Sequence, residues 1–152
     1  MSAEPKRPVV GVFDHTGNLA EECKWLEQQS QRALPLCLGE QGSEDPVLPD
    51  LEEVEISLIS DEEIARVHGE FMDDPTATDV ITFHHGEILV SADTARREGP
   101  EQGHSLQEEL LLYLIHGLLH LNGHTDLQES DRRQMHECQD RILLTMICKE
   151  SP

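Results

Sequence analysis

Residues 116–126 have the sequence HGLLHLNGHTD and hold the side chains of this chain best suited to chemistry. His116 and His120 are four residues apart, so on a helix both imidazoles lie on one face and can reach a single metal ion. Gly123 is expected to end the helix, and the returning chain would bring Asp126 round as a third ligand. Three protein ligands leave a tetrahedral zinc ion one open position, which is the arrangement of a catalytic site.

His124 is the alternative third ligand. On an unbroken helix eight residues rise about 12 Å, at about 1.5 Å each. His116 and His124 could not then share an ion whose ligand bonds are only about 2 Å long. If the helix ends near Gly123, residue 126 has the offset that known zinc motifs use. The sequence therefore favours Asp126 as the ligand, with His124 in an outer or substrate-side position.

The spacing matches the pattern H-x-x-x-H-x-x-G-x-x-[H or D] of metzincin-type zinc sites, with one difference. Gly117 stands where those peptidases have the glutamate that acts as general base. The sequence thus predicts a metal site without the peptidase base, in which a metal-bound water would be the nucleophile and no side chain is identified as acid or base. The alternative is that a leucine-rich helix carries two histidines by chance, but the glycine and the carboxylate at matching offsets argue against it.

The helix that carries the two histidines is predicted to be central. Ser105 and Glu108 form a capping-box pattern, and the helix that they open runs through Leu121. Apolar residues occur on every side of it, which is typical of a buried helix. Such an element gives His116 and His120 a rigid support and a dry surrounding, both of which favour preorganised metal chemistry.

The rest of the chain alternates strands and helices. Strands are predicted at 9–14, 54–58, 79–83 and 87–91, the last two forming an antiparallel hairpin. Further helices are predicted over 19–34, 93–98 and 130–149. Another begins at a capping box formed by Ser60 and Glu63 and runs to Phe71. Residues 39–49 are predicted to be an exposed loop. This order indicates one α+β domain over residues 1–152, a small mixed sheet of about four strands packed with about five helices.

The remaining histidines and the cysteines are given no metal role. His84 and His85 are adjacent at the end of a strand, so at most one can face the metal site, and the interpretation as turn residues is favoured. Histidines without a partner at ligand spacing are assigned to the surface: His15, His68, His104 and His136. The four cysteines form no C-x-x-C pair and are predicted to be reduced and mostly buried. Trp25 is expected to pack in the core.

Three segments resemble the YbeY family of bacterial rRNA maturation factors. HGLLHLNGHTD is similar to the family signature H-G-x-L-H-L-x-G-x-D-H, and DVITF at 79–83, after Thr78, resembles T-[ND]-V-[LI]-[ST]-F. GEILVS at 86–91 resembles G-D-I-x-I-S. The resemblance covers about residues 55–147. It implies a small α+β metalloprotein that acts as a single-strand-specific endoribonuclease in 16S rRNA 3′-end maturation and ribosome quality control, with one zinc ion per chain and with ribosomal RNA and the ribosome or its assembly factors as partners.

Two positions depart from the family pattern. The family usually has histidine as the third ligand, where this chain has Asp126, and many members carry arginine where Met72 stands. An arginine would suit a phosphate contact. Arg66 and Arg96 are the candidates to supply that contact here.

The composition bears on substrate and location. The net charge is −20, and ten acidic residues but no Lys or Arg lie between Arg32 and Arg66. Because phosphate contacts need Lys and Arg, weak affinity for isolated RNA is expected, with recruitment by a larger ribonucleoprotein; salt adaptation is another explanation of the acidity. No segment approaches the ~20 apolar residues that span a bilayer, and no signal peptide is recognisable, so a soluble cytoplasmic protein is predicted.

Two other functions stay open on the sequence. A metal-dependent hydrolase of another class, such as a peptidase, fits the ligand spacing but lacks the glutamate base. A non-catalytic module that binds ribosomal proteins or an assembly factor would suit the acidic surface.

Overall fold

The protein is described here by a computed structural model that covers residues 7–148, with the backbone alone at Cys148. The elements follow the predicted order, and the α+β class is confirmed. They are β1 (Val9–Asp14), α1 (Ala20–Leu38), a 3-10 turn (Leu48–Asp50), β2 (Glu53–Ile59), α2 (Asp61–Met72), β3 (Val80–Phe83), β4 (Glu87–Ser91), α3 (Ala92–Glu101), α4 (Leu106–Leu121) and α5 (Glu129–Cys148).

The four strands form one mixed sheet in the order β1-β2-β4-β3. β1 pairs parallel with β2, and β2 pairs parallel with β4. β3 and β4 form the predicted antiparallel hairpin, in which Thr82 lies opposite Ile88. The hairpin therefore brings β3 to one edge of the sheet.

Alternate residues of β4 divide the core between the two faces of the sheet. Ile88 and Val90 belong to the large cluster formed with α1, α4 and α5. Leu89, between them, belongs to a small cluster with Ile64 and Val67 of α2. Because neighbouring strand residues point to opposite faces, α4 and α2 cover opposite sides of the sheet. We call these sides the α4 face and the α2 face.

Two helices run further than the sequence indicates, each through a proline. α1 continues to Leu38 with Pro35 inside it, and α3 continues to Glu101 with Pro100 inside it. A proline near the end of a helix removes its own N–H bond but leaves the following residues free to complete the last turn. At α2, Ser60 accepts from the backbone N–H of Glu63 as predicted, whereas the carboxylate of Glu63 pairs with Arg66 instead of completing the capping box.

The core is aliphatic, and the three cysteines whose side chains are described are free thiols. Cys37 and Cys138 are buried and Cys23 is half-buried, which agrees with the prediction, while the side chain of Cys148 lies outside the described residues. Trp25 packs against the large cluster from a half-buried position. Among the helices of residues 7–148, none has the length and apolar character that crossing a bilayer requires.

Candidate metal centre

Helix α4 is the central element that the sequence predicts. Ser105 accepts from the backbone N–H of Glu108, whose carboxylate accepts in return from the Ser105 N–H, so the capping box is complete. Every residue from Glu109 to Leu121 is buried except His116 and His120, which are half-buried. At a 100° turn per residue, these two histidines share one stripe of the helix with Glu109 and Tyr113.

Gly117 lets α4 lie directly on the sheet. A Cβ atom placed at this residue would stand 2.7 Å from Cδ1 and 2.8 Å from Cγ2 of Ile88 on β4. These distances are shorter than any real contact, so a side chain here would push the helix and the strand apart. The position that carries the general base in metzincin-type peptidases is therefore filled by close packing against the sheet.

The imidazoles of His116 and His120 are neighbours, with ring centroids 4.8 Å apart and ring planes 79° apart. Nδ1–H of His116 donates to Oε1 of Gln139 on α5 over 2.7 Å, and Nδ1–H of His120 donates to the carbonyl of His124 over 3.1 Å. Since both acceptors lack a proton to give, each ring holds its proton on Nδ1 and keeps its lone pair on Nε2. We call this pair the histidine dyad.

Burial keeps the dyad neutral. Desolvation, and then the neighbouring charge of His116, lowers the pKa of His120 to about 4 from the ordinary 6.5. Desolvation also lowers the pKa of His116, although the hydrogen bond to Gln139 and the charge of Asp79 partly oppose it. Both rings are consequently neutral at pH 7, with a proton on Nδ1 and none on Nε2, which is the state in which imidazole binds a metal ion.

The chain turns sharply after α4, as the glycine predicts. The helix ends at Leu121, and Gly123 has a φ of +96°, a conformation that glycine adopts without strain. The N–H of His124 donates to the carbonyl of Leu119 over 3.0 Å, which closes the end of the helix. This turn directs the following residues back toward the dyad.

The acidic loop before β2, residues 39–49, is exposed over much of its length, as the sequence indicates, but it is also anchored to the end of α4. Its backbone runs along the end of α4, where N–H groups of Gly42, Glu44 and Val47 donate to the carbonyls of residues 122, 123 and 121 over 3.1, 3.0 and 2.8 Å. Leu48 is fully buried. Asn122 is 1% exposed, and its side-chain amide donates to the carbonyl of Cys37 over 2.8 Å. The loop thus holds the turn that follows the dyad.

His124 is buried next to the dyad, in the outer position that the sequence offers as one alternative. Its ring is 5% exposed, and Nε2 is 2.7 Å from the carbonyl oxygen of Glu40 in the acidic loop. Its backbone carbonyl accepts from His120, as described above. The residue therefore acts as an outer support for His120 through its main chain, and its ring is engaged by the loop because the Gly123 turn directs it inward.

Asp126 follows the turn as an exposed residue within electrostatic reach of the dyad. Its negative charge raises the pKa of both His116 and His120 against the stronger effect of desolvation. Across residues 7–148, no three His, Cys, Asp or Glu side chains lie close enough together to hold a metal ion. The structure therefore brings together the two histidines, and ligation by Asp126 stays a prediction. Two neutral imidazoles with free Nε2 atoms and a nearby carboxylate fit zinc in donor chemistry.

Two further histidines lie nearer the dyad than the sequence indicates. The ring of His136 lies 6.3 Å from that of His116, so this exposed histidine is a neighbour of the dyad. Its spacing of three from Gln139 on α5 is the signal that places both on the side toward α4. His84 lies close enough to lower the pKa of His120 through its charge.

Two histidines assigned to the surface are half-buried. Nδ1 of His104 is 2.8 Å from Oε1 of Glu109, which is 2% exposed, and Nδ1 of His68 is 2.9 Å from the carbonyl oxygen of Thr76. The ring of His104 thus gives the buried carboxylate of Glu109 a polar partner. A single histidine at no particular spacing gives no sequence signal for such a role.

A small polar cavity of about 200 Å³ opens beside His116. Its lining includes Asp79, Tyr113, His136, Gln139 and Asp140. The carboxylates of Glu98 on α3 and Glu109 on α4 complete the wall, so the cavity repels an anion unless a cation is present. It gives the dyad access to solvent on the α5 side.

Thr82 offers an unused hydroxyl on the α4 face. Val80 packs into the large cluster on that face, whereas Ile81 and Phe83 pack on the α2 face, so Thr82 points with Val80 toward α4. Within residues 7–148, its Oγ1 is the buried side-chain polar atom that has no hydrogen-bond partner. Since buried hydroxyls are normally paired, this one is available to a ligand on the α4 face.

The arginines proposed for phosphate contact are engaged elsewhere. Arg66 lies on α2, on the opposite face of the sheet, and pairs with Glu63 and Glu70. Arg96 lies on α3, and its guanidinium is 3.5 Å from a carboxylate oxygen of Asp93. Both remain candidates for substrate contact, but neither forms a hydrogen bond or ion pair with His116 or His120.

Known proteins similar to this chain agree on one family. A family model described as endoribonuclease YbeY matches residues 15–147. The endoribonuclease YbeY of Synechococcus sp. strain CC9605 is 35% identical over 84% of this chain and 87% of its own length. That of Thermus thermophilus is 34% identical over 78% of this chain and 89% of its own. A Thermotoga maritima protein solved in solution, 22% identical, has the same fold, with a TM-score of 0.63 over 92% of this chain and 90% of its own.

Proposed function

The chain belongs to the endoribonuclease YbeY family, and from that premise we propose that it is a zinc-dependent endoribonuclease that cuts single-stranded RNA. We further propose that it acts in the cytoplasm in 16S rRNA 3′-end maturation and ribosome quality control, with the ribosome or its assembly factors as partners. The observation that carries the proposal is the histidine dyad, whose Nδ1 atoms are both engaged and whose Nε2 atoms are both free.

The dyad and Asp126 are the residues that would hold the metal, through Nε2 of each histidine and a carboxylate oxygen. A zinc ion there would supply a Lewis acid that polarises a phosphoryl oxygen. The chain's own groups prepare the site. Gln139 and the carbonyl of His124 orient the two rings, and burial keeps them unprotonated. The free hydroxyl of Thr82 is suited to donate to an oxygen of the RNA.

The chain offers no glutamate base, because Gly117 packs against Ile88. An RNA strand carries its own 2′-hydroxyl, which can attack the adjacent phosphorus, so the absence of that base costs less for RNA than for a peptide substrate. A peptidase without it would forfeit roughly the 10²–10⁴-fold that general acid–base catalysis supplies. The close contact of helix and sheet therefore favours RNA cleavage over peptide cleavage.

Charge makes free RNA a poor ligand. The cavity beside His116 is lined by carboxylates, and the whole chain has a net charge of −20. Phosphate groups approach such a surface only where a cation neutralises it. A ribonucleoprotein partner would bring the RNA to the site without requiring many Lys or Arg contacts.

The test combines metal analysis with cleavage assays on purified protein. We expect about one zinc ion per chain, cleavage of single-stranded RNA that stops on chelation, and a lower melting temperature after chelation, because a metal bound only by the folded state stabilises it. His116→Ala should lose both metal and cleavage. His68→Gln, which changes a half-buried histidine bonded to the main chain, is the matched control and should keep both.

Other results would replace the proposal. Metal-dependent cleavage of casein would identify a peptidase. Binding of rRNA precursors or of ribosomal proteins without any cleavage would identify a non-catalytic assembly module. RNA cleavage that persists equally in His116→Ala and in chelator would show that the dyad is not the catalytic site. A 16S precursor with its 3′ extension, compared with an unrelated single strand, tests the proposed rRNA specificity.

A further inference from the structure

The α2 face of the sheet contains an open cleft of about 820 Å³. Helix α2 forms one wall, and the ends of β2, β3 and β4 form the floor. The aromatic and charged side chains that line it include His15, Glu63, Arg66, Phe71, Phe83 and His85. We call this the α2 cleft. It lies on the side of the sheet opposite to the histidine dyad.

Three aromatic rings follow one another along the α2 cleft. The centroids of Phe71 and Phe83 are 5.4 Å apart with their planes at 74°. Those of Phe83 and His85 are 5.6 Å apart with their planes at 19°, which is a stacked arrangement. Phe71 is 63% exposed, and His85 is also exposed. Open aromatic faces of this kind form a surface on which flat rings stack.

The charges in the α2 cleft favour a base over a phosphate. The guanidinium of Arg66 is taken up by Glu63 and Glu70, so it is not free to bind an anion. The carboxylate of Glu87, 3.3 Å from Nε2 of His85, adds a negative charge at the edge of the rings. Carboxylates repel phosphate but accept hydrogen bonds from the amino groups of bases. Stacking would also let a protein with a net charge of −20 hold RNA without many ion pairs.

The β3–β4 turn connects the α2 cleft with the dyad. Phe83 of β3 lines the cleft on one side, while the preceding residue, Thr82, points with Val80 to the α4 face, which carries the dyad. One extended strand that passes over this turn could therefore place a base on the aromatic rings and its backbone near the dyad.

We propose that the α2 cleft is a stacking subsite for nucleobases of the single-stranded RNA that the dyad cleaves. Phe71, Phe83 and His85 supply the stacking surface, and Glu87 accepts from a base edge. This inference rests on the proposed function and adds to it the location and chemistry of substrate binding. It predicts that affinity for single-stranded RNA depends on aromatic side chains more than on basic ones.

The experiment measures the Kd of a fluorescent single-stranded RNA oligonucleotide by anisotropy. Phe71→Ala should raise Kd about tenfold or more, in line with the loss of one stacked base. Phe71→Trp should keep the wild-type Kd or lower it. Leu144→Ala is the matched control, since Leu144 is 62% exposed on α5, and it should bind as the wild type does. Because Phe71 is 63% exposed, the variant should fold normally, which circular dichroism and zinc content will verify.

Two further readouts separate stacking from a general effect. An RNA that carries 2-aminopurine should lose fluorescence on binding the wild type, because stacking quenches that base, and should lose less on binding Phe71→Ala. In cleavage assays KM should rise with little change in kcat, since the α2 cleft binds RNA away from the reacting phosphate.

The outcomes distinguish this proposal from the proposed function. If the wild type cleaves RNA with metal and Phe71→Ala has the same Kd and KM, the endoribonuclease stands and the stacking subsite is wrong. If Phe71→Ala weakens binding of an arginine-rich peptide but not of RNA, the α2 cleft is a protein-binding site. If the wild type neither binds nor cleaves single-stranded RNA, both proposals fail.

Discussion

The two faces of the sheet both present histidines, but they hold them in opposite ways. On the α4 face, His116 and His120 are half-buried, and a specific acceptor fixes one nitrogen of each ring. On the α2 face, His15 and His85 are exposed along an open cleft. Fixed and dehydrated rings suit metal binding, whereas exposed rings beside aromatic residues suit recognition of a flat ligand. If both proposals hold, one small sheet carries the metal site on one face and the RNA-binding surface on the other.

The interactions around these residues differ in energy as well. Gln139, which accepts the hydrogen bond from His116, is only 6% exposed, so breaking this bond leaves a buried polar group unpaired. The ion pairs of Arg66 in the α2 cleft are largely exposed, so water and salt screen them and they contribute little to stability. Substitutions on the α4 face should therefore change metal affinity and stability strongly, while those on the α2 face should change RNA affinity alone.

Replacing Asp126 should give the largest effect and is the sharpest test of the α4 face as a metal site. If Asp126 is the third ligand, Asp126→Ala should reduce zinc affinity by more than the ~10–100-fold that loss of an outer partner costs. Metal-dependent cleavage should disappear with it. Competition with a fluorescent zinc chelator measures the affinity. Asp126→His should retain metal, since imidazole is also a zinc ligand.

His124→Ala is the control for that prediction. Its ring bonds the carbonyl of Glu40, and its support of His120 comes from the main chain, which the substitution keeps. Zinc content should therefore stay nearly intact and activity should change modestly. Metal lost in His124→Ala and kept in Asp126→Ala would reverse the assignment of the third ligand without removing the metal site.

Gln139 should show the next largest effect. Gln139→Ala removes the acceptor that orients His116, and zinc affinity should fall by ~10–100-fold. Gln139→Glu keeps an oxygen at this point and should retain the metal. The same chelator competition measures both variants. Equal affinity in Gln139→Ala and the wild type would mean that the ring of His116 is held by packing alone, and the contrast between the two faces would lose its basis.

The central helix and the dyad could be predicted because their signals are local. Four-residue spacing, the capping box of Ser105 and Glu108 and the positive φ of Gly123 all follow from neighbouring residues in sequence. The element order and the hairpin follow in the same way from apolar periodicity. The position of Asp126 relative to the two histidines does not follow from local sequence, because it depends on how the chain after the turn packs.

The features that sequence reasoning missed all depend on distant partners. The acidic loop has the composition of an exposed loop, yet its backbone N–H groups find acceptors at the end of α4, far away in sequence. Gln139 meets His116 across two helices, and Thr82 is left unpaired by the register of the sheet. The α2 cleft arises where α2 leaves part of the sheet uncovered, which no run of residues encodes.

The metal-free protein should lose stability as the pH falls from about 6.5 to about 4. Burial lowers the pKa of His120 to about 4, so the unfolded state takes up a proton in this window that the folded state refuses. The full difference would be about 3 kcal/mol, and solvent screening of a half-buried ring reduces it to about 1–2 kcal/mol. Thermal unfolding in chelator at pH 7, 5.5 and 4.5 measures it.

Two observations help to interpret that pH profile. His120→Gln should flatten it between pH 6.5 and 4, because the titrating ring is gone. Desolvation raises the pKa of Asp61, but hydrogen bonds from Ser91 and Arg97 outweigh it and hold that pKa below the ordinary 3.8, so the contribution of Asp61 is lost only at lower pH. A slope that is unchanged in His120→Gln would assign the acid sensitivity to groups other than His120, of which His116 is the first candidate because burial lowers its pKa too.

Gly117→Ala should have a smaller net effect on stability. Alanine gains ~1 kcal/mol over glycine within a helix, but overpacking a core costs ~1–3 kcal/mol. Because the new Cβ would stand 2.7 Å from Ile88, we expect a net loss of about 1 kcal/mol, measured by urea unfolding. Gly69→Ala in α2 is the matched control. Its Cβ would meet the exposed Pro75 at 3.2 Å, where the loop can yield, and stability should hold or rise.

Gly117→Glu should create no efficient peptidase, although it restores the H-E-x-x-H sequence. The new carboxylate would start between α4 and β4, against Ile88, and not in the solvent-accessible cavity beside His116. Burying a charge there costs several kcal/mol, so the variant should be less stable than Gly117→Ala. Proteolysis of casein with added zinc measures the activity. Robust metal-dependent proteolysis would mean that the helix can separate from the sheet, and the dyad would then have to be regarded as a peptidase site that lost its base.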